Sequence, residues 1–296
     1  MLINKFDQFL QSNNWADFQN SVGHETFFIN DKLVIKHKTT LGLNYLYVPR
    51  AVVESRDLEL IMDLAKKEDC IFSRIDPALG SDVKGQDTKT AQSENCWFLN
   101  LSSNEDELLK NMKSKTRYNI KLANKKGVEV KVSSDPKDIK VFYKLSAEMA
   151  KRQKIRIHPK QYYLELFETF TKTNQAFLYL AKYEGKVISA NLIIYSEDTA
   201  TYVHGSSSNK HRNVMAPYLL QWQAILDAKK AGLIYYDFGG VAPEKAEKHE
   251  WAGITRFKQG FGGEYVNYPK SVDVIYSSGK YYIYKLLRYL NKMFKN

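Results

Sequence analysis

A single lysine stands between two phenylalanines in residues 255–264, which read TRFKQGFGGE. Phe257 and Phe261 would partly desolvate Lys258, which favours the neutral amine and strengthens any electrostatic contact that the cation makes. Both states suit acyl transfer, because the amine is a base and the ammonium stabilises a developing oxyanion. The alternatives are a phosphate-binding loop, a strained turn that only shapes the fold, or a lysine that reaches out to solvent.

Known catalytic and phosphate-binding motifs do not account for this stretch. It fits neither GxxxxGK[ST] nor GxGxxG. The sequence has no GxSxG elbow, and its six histidines show no HxH or HExxH pairing. The two cysteines, Cys70 and Cys96, form no CxxC pair and indicate reduced core thiols. We therefore expect no metal site and no tightly bound cofactor.

The charge balance points to a polyanionic partner. The chain has 44 Lys and Arg against 33 Asp and Glu, a net charge of +11. Such an excess favours nucleic acid, nucleotide phosphates or an anionic membrane surface. A helix predicted over residues 105–126 carries a basic stripe beside its apolar face, made of Lys110, Lys113, Arg117, Lys121 and Lys125, with Lys115 close by. The stripe is either a solvated face or a phosphate-contacting surface.

Helices and strands alternate along the chain and would position these side chains. Residues 106–268 read as helix, strand, two helices, three strands, helix and strand, with a hairpin turn at Glu184-Gly185. The order is typical of acyltransferases of the GCN5-related type, which have an α/β fold with a mixed sheet. The first hundred residues show a shorter version of it. We therefore predict two α/β domains of similar architecture.

Residues 212–217 stand where such an acetyltransferase binds the pyrophosphate of coenzyme A. That loop has the pattern Arg/Gln-x-x-Gly-x-Gly/Ala, because backbone N–H groups must approach the phosphates closely at a helix N-terminus. Here it reads RNVMAP, so both glycine positions are lost and Pro217 has no N–H to donate. Coenzyme A is therefore a poor candidate for the acyl donor.

Several segments, in this order and spacing, form a further pattern. They are the Gln11, Trp15 and Gln19 series, FSRIDP, SKTRYNIKLANKKGVEV, HPKQYY, GSSS followed by APYLLQW, and YYDFGG followed by FKQGFGG. Together they resemble the Fem family, the non-ribosomal aminoacyltransferases that build peptidoglycan cross-bridges from aminoacyl-tRNA. The resemblance implies two tandem GCN5-like domains: residues 1–104, completed by residues 270–296, and residues 105–269.

The resemblance also implies roles for individual residues. Lys258 falls at the catalytic lysine, which stabilises the oxyanion as the ester is attacked, and Phe257 would position the aminoacyl ester. Asp76, in FSRIDP, is either a carboxylate near the attacking amine or a turn-capping residue before Pro77. Further substrate contacts would come from His158, Tyr162, Tyr202 and His204. The tRNA phosphates would then be bound by the basic helix, through Lys113, Lys115, Arg117 and Lys121.

Two departures from the family pattern concern the acceptor. Relatives that act on the soluble nucleotide precursor carry a lysine in the N-terminal motif and an arginine before Pro-x-x-Tyr, where this chain has Gln19 and His158. Both changes remove a fixed positive charge that would face a diphosphate. Either Arg156 substitutes or the acceptor is different, and both soluble and lipid-linked precursors stay open. The segment between Lys131 and Ala176 is too short for the helical-hairpin arm of some members.

The last segment, YYIYKLLRYLNKMFKN, is predicted to be an amphipathic helix. Its apolar face carries Ile283, Leu286, Leu287, Leu290 and Phe294, and its polar face carries Lys285, Arg288, Lys292 and Lys295. Such a helix either packs on the first domain or contacts a membrane surface. No run approaches the length of a membrane span, and the N-terminus lacks a signal-peptide core. We therefore expect a cytoplasmic protein, with peripheral contact at the cytoplasmic face of the membrane as the second alternative.

The sequence predicts one function and leaves two alternatives open. The first is an aminoacyltransferase that moves an amino acid from aminoacyl-tRNA to the stem-peptide amine of a peptidoglycan precursor, with no cofactor and no DNA partner. The second is a GCN5-type N-acyltransferase that uses an acyl thioester, which saturable coenzyme A binding would favour. The third is a tRNA- or envelope-binding relative without catalysis, which only a turnover measurement distinguishes from the first.

Overall fold

The computed structural model describes residues 9–39 and 42–293, which form two compact units. The first unit comprises the described residues up to Glu94 and from Tyr268 onward, and the second comprises residues 95–267. Each unit contains one mixed sheet with helices packed on it. Within the described ranges, no helix combines the length and apolarity needed to cross a lipid bilayer.

The first unit is built on a sheet that combines an early and a late part of the chain. Its elements are α1 (Asn13–Ser21), β1 (Glu25–Ile29), β2 (Lys32–Lys38), β3 (Asn44–Ala51), α2 (Ser55–Lys67), β4 (Cys70–Pro77), β5 (Gln86–Asp87), β13 (Val272–Ile275) and α9 (Ser278–Met293), after a 3-10 turn at Phe9–Gln11. Among the described residues, six strands pair in the order β1-β2-β3-β4-β13-β5. Only the β3–β4 neighbours run parallel in that sheet of described strands.

Strand β4 lies at the centre of this sheet and is buried along its whole length. Helix α2 packs against it through Ile61 and Ala65, and its N-terminus is closed by a capping box between Glu54 and Asp57. Helix α9 also packs against β4, where the ring centroids of Tyr281 and Phe72 are 5.2 Å apart. The strand therefore has no solvated face, and its polar residues Ser73, Arg74 and Asp76 are buried together with the apolar ones.

A buried ion pair joins β4 to the returning segment. Arg74 donates to both carboxylate oxygens of Asp273 on β13, each at 2.8 Å. Tyr281 of α9 donates to the same carboxylate at 2.8 Å. Asp273 is only 1% exposed, so the pair and the tyrosine replace the water that the carboxylate has lost.

The second unit has a larger sheet. Its elements are β6 (Asn95–Asn100), α3 (Glu105–Asn111), α4 (Ser114–Lys125), β7 (Glu129–Ser133), α5 (Ile139–Gln153), α6 (Lys160–Thr171), β8 (Ala176–Tyr183), β9 (Lys186–Ser196), β10 (Thr199–Ser207), α7 (Ala216–Lys230), β11 (Tyr235–Gly240), α8 (Ala252–Gln259) and β12 (Glu264–Asn267), with 3-10 turns at Pro136–Asp138 and Arg212–Val214. Over residues 95–267, seven strands pair in the order β12-β6-β11-β10-β9-β8-β7. Helix α7 packs on β8 and β9, α4 packs on α7, and α5 packs on β9 and β10.

The prediction of a single basic helix over residues 105–126 is wrong. The chain forms α3 and α4 instead, separated by the extended residues Met112 and Lys113. Met112 is buried, and the N–H of Lys113 bonds to the carbonyl of Gly260 at 2.9 Å rather than to its own helix. A tertiary hydrogen bond therefore breaks a helix that the local sequence would continue.

The hairpin and strand β6 also bear on the sequence predictions. The hairpin at Glu184-Gly185 is confirmed: both residues have positive φ, and β8 pairs with β9 around them. Strand β6, which the sequence places within residues 1–104, pairs with β11 and β12 of the second unit. The segment between Lys131 and Ala176 contains α5 and α6, the second of which packs on β8.

Helix α9 packs on the first sheet through residues other than those predicted. Tyr281 and Tyr284 are buried, whereas Ile283, Leu286 and Leu290 are exposed. The helix therefore packs on the first domain, as one of the two predicted alternatives has it, but it does so mainly through tyrosines. Of the described residues on the aliphatic face, only Leu287 is partly buried. The tyrosines take that place because their hydroxyls reach polar partners that a leucine lacks, as Tyr281 does at Asp273. Phe294, Lys295 and the side chain of Lys292 lie outside the described residues.

The buried ion pair yields a stability prediction. Replacing Asp273 by alanine would leave the Arg74 guanidinium buried without its carboxylate, and we expect the free energy of unfolding to fall by about 3–5 kcal/mol. The matched control is Asp87→Ala, which removes the exposed Lys270–Asp87 pair at 3.5 Å and should cost less than about 1 kcal/mol. Urea unfolding followed by circular dichroism measures both, and equally small losses would contradict the buried pair's role.

Candidate active site

Lys258 lies near the C-terminal end of α8 and is buried, with 7% of its surface exposed. The sequence predicts a glycine-rich turn here and misses this eight-residue helix. The helix ends at Gly260, where a Cβ atom would lie 2.3 Å from Oγ1 of Thr116 on α4. Gly263, with φ at +98°, passes so near the carbonyl of Phe98 that a Cβ would be 2.2 Å from its oxygen. The glycines thus let the end of α8 approach its neighbours closely.

The ammonium of Lys258 points to the place where two parallel strands separate. Strands β10 and β11 pair only from Thr199 to Thr201. Beyond these residues, the pairing of β10 with β9 is irregular at Tyr202–His204, and the pairing of β11 with β6 is irregular at Asp237–Gly240. Lys258 Nζ donates to the carbonyl of Gly240, at the end of β11, at 2.6 Å. The cation therefore lies just beyond the end of the β10–β11 pairing, with a backbone carbonyl oxygen as its hydrogen-bond partner.

Tyr202 of β10 forms one wall of the gap where this pairing ends. Lys258 Nζ lies 5.9 Å from the centroid of its ring, within the range of a cation–π contact. The ring occupies the space above Gly205, where a Cβ atom would be 1.6 Å from the tyrosine hydroxyl. Gly239 has φ at +72°, and a Cβ there would lie 3.9 Å from Lys258 Nζ. The glycines therefore let Tyr202 and Lys258 approach the backbone closely.

Burial changes the acid–base behaviour of this lysine. Desolvation of the ammonium lowers the pKa of Lys258 to about 8, although nearby Asp237 and Cys96 act in the opposite direction. At neutral pH the side chain is still mostly a cation, in surroundings where its charge is weakly screened. Such a group binds a developing negative charge more strongly than an exposed lysine does.

Phe257, next to Lys258, packs into an aromatic group. Its ring centroid is 5.0 Å from that of Tyr218 on α7 and 5.3 Å from that of Phe261. Phe257 is only partly buried, whereas Phe261 is completely buried. One phenylalanine thus anchors the end of α8 in the core, and the other keeps part of its ring at the surface.

A second aromatic group adjoins Tyr202 along β10. His204 has its ring centroid 5.0 Å from that of Tyr163, and His158 stacks on Tyr162 at 3.8 Å. The His158 and His204 centroids are 6.3 Å apart. Burial lowers the pKa of His158, and burial together with His158 lowers the pKa of His204 to about 3. Both imidazoles are therefore neutral near pH 7, and Nε2 of His204 is buried without a hydrogen-bond partner among the described residues.

Three of the predicted site residues do not belong to either aromatic group. Arg156 lies on the exposed segment before α6. Gln19 is buried on α1 in the first unit. Asp76, 1% exposed at the end of β4, accepts hydrogen bonds from Tyr47 Oη and the Gln92 N–H, each at 2.8 Å, and from the Ser271 hydroxyl. Its carboxylate thus ties together three segments of the first unit.

The loop at residues 212–217 has a geometry unlike a phosphate cradle. Arg212–Val214 forms a 3-10 turn, Met215 has φ at +57°, and Pro217 lies in the first turn of α7. Within the described residues, no group of three or more histidine, cysteine or acidic side chains could hold a metal ion. What the second unit brings together is a buried cation, a partly exposed aromatic ring and a neutral polar cluster.

The FemAB family model matches residues 78–187 and 181–289, which is more than half of the chain. The chain belongs to the FemAB family. The predicted family is thereby confirmed. Aminoacyltransferase FemA of Staphylococcus epidermidis is 30% identical over 105 residues, which cover 36% of this chain and 25% of that protein. FemA of Staphylococcus aureus is 33% identical over 81 residues, 27% of this chain and 19% of that protein.

These matches span a quarter or less of the length of either FemA protein. A crystal structure of FemX shares the fold over nearly the whole chain, with a TM-score of 0.80 and 18% identity over 93% of this chain and 94% of that one. The predicted α/β fold class, with two tandem acyltransferase-like domains, is therefore confirmed. In this FemAB-family chain, Lys258 lies at the C-terminal end of α8, beside the separating strands.

The four predicted tRNA-binding residues lie on α4 or directly before it, and Arg117 is held differently from the three lysines. Lys113, Lys115 and Lys121 are exposed. Arg117 donates to the carbonyls of Leu109 and Lys110 at 3.3 Å, and also to that of Met112. The guanidinium therefore caps the C-terminus of α3, where a positive charge also suits the helix dipole.

Sequence reasoning missed an aromatic residue on the same helix. Tyr118 is 63% exposed on α4, three residues from both Lys115 and Lys121. Those spacings place the three side chains on one face of the helix. An exposed tyrosine flanked by lysines is a signal that could have been read from the sequence, because aromatic rings among basic side chains suit unpaired nucleotides.

Replacing Lys258 by methionine is expected to stabilise the protein at neutral pH. Burial lowers the pKa from the ordinary 10.5 to about 8, so below that value the folded state holds a cation that water would solvate better. Removing the cation should raise the free energy of unfolding by about 1–3 kcal/mol. Wild-type stability should rise between pH 8 and 10.5, where the unfolded state binds the extra proton. The advantage of the variant should therefore shrink across that window.

Urea unfolding of both proteins at neutral and alkaline pH measures this difference. The exposed Lys248 provides the matched control, since Lys248→Met should change stability by less than about 0.5 kcal/mol. A Lys258→Met protein that is less stable than the wild type at neutral pH would contradict the description of a desolvated cation.

Proposed function

We propose that this protein transfers an aminoacyl group from aminoacyl-tRNA to an amine in the stem peptide of a peptidoglycan precursor, forming an amide bond. Membership of the FemAB family supports the proposal, as do relatives named aminoacyltransferase FemA. The observation that carries it is the buried ammonium of Lys258, held at the gap between β10 and β11. An acyl transfer develops negative charge on one oxygen, and a weakly screened cation stabilises that charge.

The reaction divides into two steps at one carbon atom. The acceptor amine attacks the ester carbonyl, the new C–N bond forms, and the carbonyl oxygen takes the negative charge. Lys258 stabilises this oxyanion by leaving its ground-state partner, the carbonyl of Gly240. The C–O ester bond then breaks, and the terminal ribose hydroxyl leaves with a proton that comes from the amine. The products are the amide and uncharged tRNA.

Aromatic side chains would orient the two reactants. Phe257 and Tyr202 flank Lys258 and would bind the aminoacyl ester end. His158, Tyr162 and His204 would contact the acceptor peptide through ring faces and neutral hydrogen-bonding atoms, because the lowered pKa of each histidine removes its charge near pH 7.

Residues outside this aromatic group complete the acceptor side of the proposal. Arg156, exposed before α6, would supply a positive charge toward a precursor phosphate. In the first unit, Asp76 would act as the carboxylate near the attacking amine and Gln19 as a precursor contact. The proposal covers both nucleotide- and lipid-linked precursors.

The exposed face of α4 would bind the tRNA. Lys113, Lys115 and Lys121 would neutralise backbone phosphates, and Tyr118 would stack on an unpaired nucleotide. The backbone bond from Lys113 to Gly260 joins the start of α4 to the end of α8. The basic face therefore begins beside the helix that carries Lys258. Arg117 would act indirectly, by holding α3 against α4.

We place the protein in the cytoplasm, where charged tRNA is present, and extend the proposal to a peripheral contact with the membrane surface. Support for that contact comes from α9, which exposes Leu286, Tyr289 and Met293 next to basic residues. Exposed apolar side chains on an amphipathic helix favour the interfacial region of a bilayer.

Removal of the Lys258 ammonium should reduce transfer. With purified protein, charged tRNA and a stem-peptide precursor, Lys258→Ala should lower the single-turnover rate by about 10²–10³-fold, the loss typical of one oxyanion donor. Binding of tRNA should stay within about twofold, because the lysine acts on the ester. Lys248→Ala, at an exposed position, serves as the control and should react at the wild-type rate. Near-normal transfer by Lys258→Ala would exclude the assigned role.

The pH dependence of transfer distinguishes the cation from the free amine. If Lys258 acts as an ammonium, the wild-type rate should fall as the pH rises through about 8, where the side chain loses its proton. Lys258→Arg should keep residual activity whose alkaline limb moves to higher pH, because a guanidinium stays protonated. A wild-type rate that increases through this pH, and is independent of it in the arginine variant, would assign the lysine as a base instead.

The RNA-binding face can be tested without catalysis. Fluorescence anisotropy should show that Lys115→Ala and Lys121→Ala each weaken binding of an RNA hairpin and reduce the salt slope by about one. Tyr118→Ala should weaken only hairpins with a single-stranded 3′ end, by about 1–3 kcal/mol, and Tyr118→Phe should not. Lys140→Ala on α5, also exposed, is the control. Loss of duplex and single-stranded binding alike on Tyr118→Ala would rule out stacking.

A further inference from the structure

Helix α9 presents a large apolar surface away from the first sheet. Its outer face consists of Tyr282, Ile283, Leu286, Tyr289, Leu290 and Met293, all of which are exposed. Leu286 is 57% exposed and Tyr289 62%. The buried tyrosines at 281 and 284 point to the opposite side of the helix, so the outer face is not used to hold α9 on the sheet. Contiguous exposed apolar side chains of this kind mark an interaction site.

The charges of α9 are all of one sign. Residues 278–293 contain Lys280, Lys285, Arg288 and Lys292 but no aspartate or glutamate. Pairing α9 with a second copy of itself would bring these like charges together, which disfavours a dimer through this face. An anionic lipid surface matches both features, because aliphatic side chains enter the acyl boundary while tyrosines and long basic side chains lie at the headgroups.

An open cavity of about 450 Å³ lies beside α9 in the first unit. Its charged lining consists of Arg74, Lys89, Lys270, Lys285 and Arg288, against Asp87, Glu94 and Asp273. Two of these acids already have basic partners, because Arg74 pairs with Asp273 at 2.8 Å and Lys270 pairs with Asp87 at 3.5 Å. The cavity therefore retains a net positive charge.

The remaining cations are placed to receive an anion. Lys89, Lys285 and Arg288 also line the cavity, together with one acid that has no basic partner in the described part of the cavity, Glu94. Among the described residues, none of these three cations forms an ion pair. Arg288 donates to the hydroxyl of Tyr284 at 3.1 Å, which fixes its guanidinium at the rim. Ammonium and guanidinium groups that converge on a concave site suit a phosphate group.

We propose that α9 lies flat on an anionic membrane surface, with its outer face at the acyl boundary and the phosphate of an anionic phospholipid in the adjacent cavity. Lys285 lies on the flank of the outer face, and Arg288 lies on the side of Tyr284, to which it donates. Both cations line the cavity beside the helix, and their long side chains can reach headgroup phosphates when apolar side chains enter a bilayer. This inference adds a ligand to the peripheral contact within the proposed function. It is independent of aminoacyl transfer, because vesicle binding requires neither RNA nor a peptidoglycan precursor.

Co-sedimentation of the full chain with vesicles tests the proposal. One vesicle set contains only phosphatidylcholine, and the other contains phosphatidylglycerol as a minority component. We expect strong partitioning to the second set, a loss of binding in the double variant Leu286→Glu/Leu290→Glu, and partitioning at least about tenfold weaker in Lys285→Glu/Arg288→Glu. Leu60 and Lys67 lie at exposed positions on α2 of the same unit. Leu60→Glu is the control for the leucine substitutions and Lys67→Glu for the charge reversals, and both variants should bind as the wild type does.

The other outcomes overturn the proposal. Wild-type protein that does not partition, or that partitions equally to both vesicle sets, contradicts an anionic lipid as the ligand. Inorganic phosphate that binds in solution while vesicles do not would assign the cavity to a free anion. A dimer seen by light scattering, lost in Leu286→Glu/Leu290→Glu and unaccompanied by vesicle binding, would assign the outer face to a second copy. Unchanged circular dichroism of each variant confirms that its fold is intact.

Discussion

The positive charge of Lys258 lies where burial has removed most of its water, and the arrangement of the second unit depends on that constraint. One carbonyl, that of Gly240, takes the place of the lost solvent at 2.6 Å. The ring of Tyr202 lies beside the cation because Gly205 has no side chain to displace it. The gap itself exists because β10 and β11 stop pairing after three residue pairs. In the proposed reaction, such a cation would bind the negative charge that develops on the ester oxygen.

The same fold can serve acyl donors whose phosphates lie at different distances from the reacting carbonyl. In a coenzyme A enzyme, a glycine-rich loop at the start of a helix binds the pyrophosphate. Here that region is a 3-10 turn followed by Pro217, which offers fewer backbone donors. Basic residues are found instead at the start of α4 and along it, and the residue before this helix is anchored to the end of α8 by the Lys113–Gly260 bond. A donor with a long polyanionic chain, such as tRNA, suits this separation of charge and chemistry.

Local sequence patterns predicted the helices and strands of this protein better than they predicted the contacts between them. The phenylalanine and glycine neighbours of Lys258 single it out in the sequence. They do not indicate α8, because eight residues that include Gly253 give a weak helical signal. The break between α3 and α4 depends on a hydrogen bond to Gly260, 147 positions after Lys113, which no local pattern contains. The amphipathic pattern of α9 predicted a helix correctly. The side that packs on the sheet depends instead on Tyr281 and the distant Arg74–Asp273 pair, so the pattern alone does not identify the buried face of the helix.

The central claim is that the ammonium of Lys258 binds the carbonyl oxygen of the aminoacyl ester. The most direct measurement is a crystal structure with a short RNA whose 3′-terminal adenosine carries the amino acid through a stable amide. The account predicts that the amide oxygen lies within hydrogen-bond distance of Lys258 Nζ, in the gap between Tyr202 and Gly240. A complex in which Lys258 keeps its bond to the Gly240 carbonyl, while the aminoacyl group binds elsewhere, would contradict it.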